Sequence, residues 1–366
     1  MAILKRTPLY SQHQAARAKM FNFCGWETPL QFSSIMEEHR TVRTSGGLFD
    51  LSHMGRLKLS GSKSLPLLEY LTTNRVSTLA IHQVQYSVMC NPQGGIVDDL
   101  TIYRLSGEEF LLCVNACNRE KDFYWIREYL RGGMQLQDLT EDLVQLALQG
   151  PYAEKVLMEV FGGKIPQLGY FWAENFALDA KNILISRTGY TGEDGFELYL
   201  PKDTAERLWQ EILARGTDIG IKPIGLGARD TLRIEMKYCL YGNDISEQTT
   251  PLEAGLQWVI KWDKGDFIGR RSLEEQRQAG HYRRLIGFQL LEKGVPRPHY
   301  QISSSGTIVG EVTSGTLSPS LGKGIGMGYV AHDYSKIGTY LEIHMRNKVV
   351  GAEVVSTPFY PGKVKR

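Results

Sequence analysis

Asp98 and Asp99 stand side by side after the glycine-rich stretch "NPQGGI". Aspartate is poor in strand interiors, yet the residues that follow, Leu100 to Leu105, read as a strand. A carboxylate at a strand mouth can act as a general acid or base, or hold a positive charge that develops nearby. Strand parity separates the pair: Asp99, Thr101 and Tyr103 share one face, and Asp98, Leu100 and Ile102 the other. Asp99 thus keeps polar and aromatic company. Asp98 points with the apolar side unless the strand starts after it. The pattern leaves open that both acids simply end the turn.

A second acid, Glu197, lies in "GFELYL", where Phe196, Leu198 and Leu200 face one way and Glu197 and Tyr199 the other. A carboxylate beside a tyrosine in mid-strand is costly to bury without donors. A flat heterocycle with adjacent N–H groups supplies such donors, as a base edge does; an exposed edge strand accounts for the pattern equally well. Arg229 falls in the first turn of a helix predicted over "LGARDTLRIEMKY", where a cation opposes the helix dipole. That placement asks for an anion, although Asp230 could be the offset. His53 in "LSHMG" reads as structural, and no Ser-His-Asp or Cys-His set assembles.

These residues need elements to hold them. "SSIMEEHRTVRTSGG" has Ser34 and Glu37 in capping-box spacing and closes on Gly46 and Gly47, a helix. "RLKLSG" is a short strand and "SLPLLEYLTTN" a short helix. "QVQYSVMC" alternates as a half-buried strand, and with "DDLTIYRL" and "EFLLCVNA" it predicts an antiparallel meander over 84–116. "ILISRT" and "FELYLP" form a hairpin around the turn "GYTGEDG"; "NREKDFYWIREYL" and "AERLWQEILARG" are helical. From Arg284 onward the chain is strand-rich and reads as a small β domain. "GKGIGMG" and "GTLSPSLGKG" fit neither a dinucleotide fingerprint nor a P-loop, and read as turn glycines.

The 366 residues carry 42 Lys+Arg against 40 Asp+Glu, too balanced for a nucleic-acid binder. No apolar run reaches the length of a membrane span. The five cysteines are scattered, complete no zinc set, and read as free thiols. Residues 1–26 hold Lys5, Arg6, Arg17 and Lys19 but no acid, as a transit peptide would, yet Pro8, Tyr10 and "FCGW" look like folded-domain content.

In order along the chain stand "KRTPLY", "CGWETPLQF", "FDLSHMG", "YSVMCNPQGGIVDDL", "VNACNREKD", "SRTGYTGEDGFEL", "GLGARDTLRIE" and "EVTSGTLSPSLGKGIGMGYV". Together they resemble the aminomethyltransferase family, the T-proteins of the glycine cleavage system, from about residue 5 to the end. The resemblance implies an α+β fold, a three-domain ring around a central folate pocket, with mainly antiparallel sheets and a barrel-like C-terminal domain. The expected domains are 1–52 with 142–262, then 53–141, then 281–366, with 263–280 as connector.

It also implies a reaction. A one-carbon unit passes from the aminomethyl-dihydrolipoyl arm of the H-protein to tetrahydrofolate, giving 5,10-methylenetetrahydrofolate and ammonia. Asp99 matches the family's working aspartate and Glu197 the acid that grips the pterin edge. Arg229, Tyr103, Asn115, Met54 and Tyr86 fall on folate-pocket positions. The carbon keeps its oxidation level, so no metal, flavin or nicotinamide is expected. A monomer is expected. Family-like sequence from Lys5 leaves no room for a leader, which implies a bacterial cytoplasmic protein or a processed mitochondrial matrix form. The basic N-terminal segment and the end "GKVKR" are the expected contacts for an acidic H-protein. Two related readings compete. The folate-binding half of a sarcosine-type oxidoreductase lacks its flavin half here. The folate-binding iron–sulfur assembly factor expects a reactive cysteine where this chain has "RTGYTGEDGFE".

Overall fold

The computed structural model describes residues 3–162, 165–178, 180–346 and 348–365. The meander forms as expected and gains two strands. Val84–Cys90, Ile96–Arg104, Glu109–Val114, Gly55–Ser60 and Gln135–Asp138 lie in that order in a five-stranded antiparallel sheet. Strand 96–104 begins before Asp98, so parity does turn Asp98 inward with Leu100 and Ile102, and both of these join one apolar core. Strand 84–90 is not half-buried. Met89 packs in that same core, while Val88 on the opposite face packs with Leu252, Leu273 and Met327. Both faces are covered because the segment after residue 250 folds back over the sheet.

A second sheet has the order 173–178, 181–186, 195–201, 143–149, 47–50, 222–224, with only the last pairing parallel. Strand Gly195–Pro201 is therefore internal, paired to 143–149 on one side and 181–186 on the other. This excludes the edge-strand reading of Glu197. Helix Ile35–Thr44 starts as its sequence indicates, with the Glu37 N–H donating to Ser34 Oγ at 3.2 Å. Helix Leu226–Glu235 follows Gly225, where a Cβ would lie 2.3 Å from the Leu30 carbonyl oxygen.

The C-terminal strands close a six-stranded barrel, 284–290, 324–330, 307–317, 301–304, 340–345 and 348–354. Of "GKGIGMG", only Gly322 is a turn glycine, at φ +67; Gly324, Gly326 and Gly328 lie in the strand Gly324–Val330. A Cβ on Gly326 would meet the Phe288 ring at 2.4 Å, and one on Gly328 the Glu311 carbonyl at 2.6 Å. These glycines let neighbouring strands and a core ring approach closely. Gly315 in strand 307–317 does the same against Pro296. The cysteine expectation is also corrected: Cys24 and Cys117 are disulfide-bonded, their Cα atoms 5.0 Å apart, while Cys90, Cys113 and Cys239 are free and buried. The sequence separation of 93 between the partners hid the pairing. Among the described residues no helix is long and apolar enough to cross a membrane.

Candidate active site

Both large sheets, the N-terminal hairpin 19–31, helix 226–235 and the barrel contribute walls to one cavity of about 1160 Å³. This volume lies just above the usual range for small-molecule sites and accommodates a bicyclic ligand with room for an arm. Asp99, Glu197, Arg229, Asn115, Met54 and Tyr86 all line it. Tyr103 does not. It is 1% exposed behind Glu197, its hydroxyl 3.4 Å from Glu197 Oε2 and receiving a bond from the Tyr199 hydroxyl at 2.9 Å.

Asp99 sits on the sheet face that parity assigns, opposite Val88, with Tyr86 on the neighbouring strand. The Tyr86 hydroxyl donates to Asp99 Oδ2 at 2.9 Å, and Asn115 Nδ2 donates to Oδ1 at 2.7 Å. Burial first, and then the charge of Asp98, raise the Asp99 carboxyl to about 7, against the opposing pull of those two donors. Asp99 thus exchanges a proton near neutral pH. Asp98 is fully buried but not bare: it accepts from the Asn115 N–H at 3.0 Å, Asn115 Nδ2 at 2.9 Å and Asn118 Nδ2 at 2.6 Å.

Glu197 meets the cost of its burial with protein donors. Gln145 Nε2 gives Oε1 a bond at 3.1 Å, and the Thr188 hydroxyl gives Oε2 one at 2.5 Å. A carboxylate has about four acceptor sites, so capacity is left toward the cavity. Arg229 has no carboxylate at ion-pair distance among the described residues. Asp230, the suspected offset, pairs instead with Arg233 at 2.8 Å. The Arg229 guanidinium rests over the Tyr190 ring at 4.6 Å, and burial lowers its pKa.

Several wall residues were invisible to pattern reading. Trp258 stacks on Tyr86 with ring centroids 5.7 Å apart, and Tyr190 stacks on Tyr238 at 5.5 Å. His53 also lines the cavity. It is 1% exposed, its Nδ1 has no partner among the described residues, and burial lowers its pKa to about 3, so it stays neutral. The lining thiols are inert: burial raises Cys113 to about 11 and pushes Cys239 higher still.

Among the described residues one cluster outside the cavity has metal-ligand chemistry. His281, His332 and Asp333 bring ligand atoms within 4.8 Å of one another at the protein surface.

An internal antiparallel scaffold, a closed barrel and a shared cavity with an acid raised toward neutrality fit the class of ligand-transforming enzymes. Comparison with known proteins gives the family. Residues 9–264 match the GCVT N-terminal domain and residues 283–361 the glycine cleavage T-protein C-terminal barrel domain. The aminomethyltransferase of Desulfitobacterium hafniense strain Y51 is 48% identical over 361 residues, 98% of this chain and 99% of its own. That of Desulforamulus reducens is 46% identical over 364 residues, a coverage of 100% for both chains. The crystal structure of the glycine cleavage system aminomethyltransferase T from Bartonella henselae superposes with a TM-score of 0.92 at 35% identity, covering 98% of this chain and 99% of that one. The chain belongs to the aminomethyltransferase family, the T-proteins of the glycine cleavage system. It is a tetrahydrofolate-dependent transferase of that class.

Proposed function

We propose that this transferase takes the one-carbon unit from the S-aminomethyldihydrolipoyl arm of a lipoylated H-protein. It passes the unit to tetrahydrofolate, releasing ammonia and giving 5,10-methylenetetrahydrofolate, with Asp99 as the working carboxylate. The observation that carries this reading is the state of Asp99: on the cavity wall, held by Tyr86 and Asn115, and titrating at about 7. A carboxylate so placed stabilises the positive charge that develops on the carbon as ammonia leaves. A pKa near neutrality also suits it to take a proton from an attacking nitrogen.

The wall residues fit a folate. Glu197 keeps acceptor capacity for the N–H edge of a pterin, and Arg229 offers a cation with no carboxylate partner among the described residues to an anionic or carbonyl group. The stacked pairs Tyr86–Trp258 and Tyr190–Tyr238 give flat aromatic surface. Met54 supplies apolar wall, Asn115 orients Asp99, and Tyr103 supports Glu197 from behind. No step calls for a metal, a flavin or a nicotinamide.

The sheet memberships support a working division into 1–52 with 142–262, 53–141 and 281–366, joined by 263–280. The protein acts as a monomer in the bacterial cytoplasm, or in the mitochondrial matrix as a processed form, without membrane or nucleic-acid partners. Docking of the H-protein draws on the basic termini. Arg17 and Lys19 are exposed there, whereas Arg6 pairs with Glu27 and Lys365 with Glu154; Arg366 lies outside the described residues. Unchanged H-protein affinity at every salt concentration after neutralising those side chains removes the termini from the interface.

The test of the reaction is a single-turnover assay with aminomethylated H-protein and tetrahydrofolate, following ammonia and methylenetetrahydrofolate together. Wild type yields both, and Asp99→Asn binds folate but stalls. Wild type that binds folate and yields nothing overturns the transferase mechanism in favour of a folate-binding assembly role.

A further inference from the structure

Helix Arg119–Glu128 carries Asp122, which is 0% exposed. Neither of its carboxyl oxygens meets an N–H or hydroxyl donor among the described residues. An ionised carboxylate so buried and so bare is prohibitively costly. The polar group it does meet is a second carboxyl, Asp98. Two carboxyl groups hydrogen-bond to each other only when one carries a proton.

Asp98 has donors already, the Asn115 and Asn118 side-chain amides on Oδ1 and the Asn115 backbone N–H on Oδ2, which leaves Oδ2 room for another. The nearby cation does not change the balance. Lys121 turns its Nζ to the Val97 carbonyl, the Tyr241 hydroxyl and Glu247, and Arg119 is taken by Asp138. Asp99 faces the pair through Asn115, whose Nδ2 touches Asp98 Oδ1 and Asp99 Oδ1 together, and Tyr86 closes the far side.

We propose that Asp122 carries a proton that it shares with Asp98, and that this buried acid pair positions Asn115 and sets the charge felt by Asp99. Asp122 is a positioning residue: it reaches the cavity only through Asp98 and Asn115. Burial together with the neighbouring Asp98 raises Asp122 well above the ordinary carboxylate range, in keeping with its bare surroundings. The proton disperses part of the Asp98 charge, and so keeps Asp99 from being driven still further from ionisation.

The kinetic arm of the test rests on Asp99 being the working carboxylate; the spectroscopic arm does not. Infrared difference spectra at pH 9 compare wild type with Asp122→Asn, which keeps a neutral donor, and with Asp122→Ala, which does not. Wild type is expected to show the carbonyl stretch of a protonated carboxylic acid, shifting in D2O, and both variants to lack it. The pH profile of the transfer reaction should keep its midpoint in Asp122→Asn. In Asp122→Ala it should rise by about one unit, with kcat down about tenfold and folate affinity unchanged. Absence of the band in wild type overturns the proposal, as does an Asp122→Asn midpoint displaced as far as that of Asp122→Ala. If Asp122→Ala does not fold, the band and the Asp122→Asn profile decide. A band present in a protein that binds folate without transferring carbon supports the acid pair and removes the reaction instead.

Discussion

Replacing Asp99 by asparagine should make the protein more stable at pH 8 while destroying its activity. The native fold holds the Asp99 carboxyl at about 7 against an ordinary value of 3.8. A rise of about three units corresponds to about 4 kcal/mol of strain in the ionised state. Asp99 borders the open cavity, where water screens it, and asparagine gives up a charge-assisted bond. The net gain falls to about 1–3 kcal/mol. The amide can still accept from Asn115 and donate to the Tyr86 oxygen, so the wall stays intact. The sign follows from proton binding. Between about pH 4 and 7 the folded wild type keeps a proton that the unfolded chain has released, so wild-type stability declines across that window as pH rises. Urea unfolding of both proteins from pH 3.5 to 8.5 measures this. The curves should meet below pH 4, separate up to about 7 and then run parallel. A variant equally or less stable at pH 8, with no change in the difference across pH, refutes the claim that the charge of Asp99 is disfavoured by the fold.

Arg229→Met should weaken tetrahydrofolate binding by about 10- to 100-fold through loss of one charged hydrogen-bond donor, with little change in melting temperature because no ion pair is broken; titration calorimetry reads it. His53 is neutral in the fold with its pKa lowered to about 3, so wild type should lose stability as pH falls below 6.5, the unfolded chain gaining the proton first. In His53→Phe that acid loss should shrink, as urea midpoints at pH 7 and 5 will show. Denatured without reductant, the protein should titrate three thiols, and with reductant all five of its cysteines; five in both states removes the Cys24–Cys117 bond.

What could be read from sequence was whatever has a short period. Alternation put Asp99 and Thr101 on the cavity face and Leu100 and Ile102 in the core, and capping chemistry placed the start of helix 35–44. The donors that make Asp98 tolerable come from a turn about 17–20 residues downstream, which no local pattern encodes. Glu197 looked the same whether its strand lay at an edge or inside the sheet, because periodicity does not specify neighbours. Trp258 comes from a single 3-10 turn, Gln257–Val259, and reaches Tyr86 only through the fold. Tyr190 was hidden in a segment read as a turn. Tyr103 shares the parity of Asp99, yet the second sheet packs over it and removes it from the wall.

Helix 226–235 presents Arg229 to the ligand side, while its last turn is fastened elsewhere. Arg233 reaches Asp244 and Ser314 Oγ, and Glu235 accepts from Ser318 Oγ, the Ser320 N–H and Arg43. The guanidinium that faces the ligand is thus aimed by a joint between the N-terminal helix 35–44 and the barrel, through strand 307–317 and the loop that follows it. A map of inactivating substitutions should therefore not be concentric with the cavity. It should carry a second island at 314–320, where loss of a serine hydroxyl is felt as a misdirected arginine many residues away. Variants there would be mistaken for folding defects unless ligand affinity and unfolding were measured on the same protein.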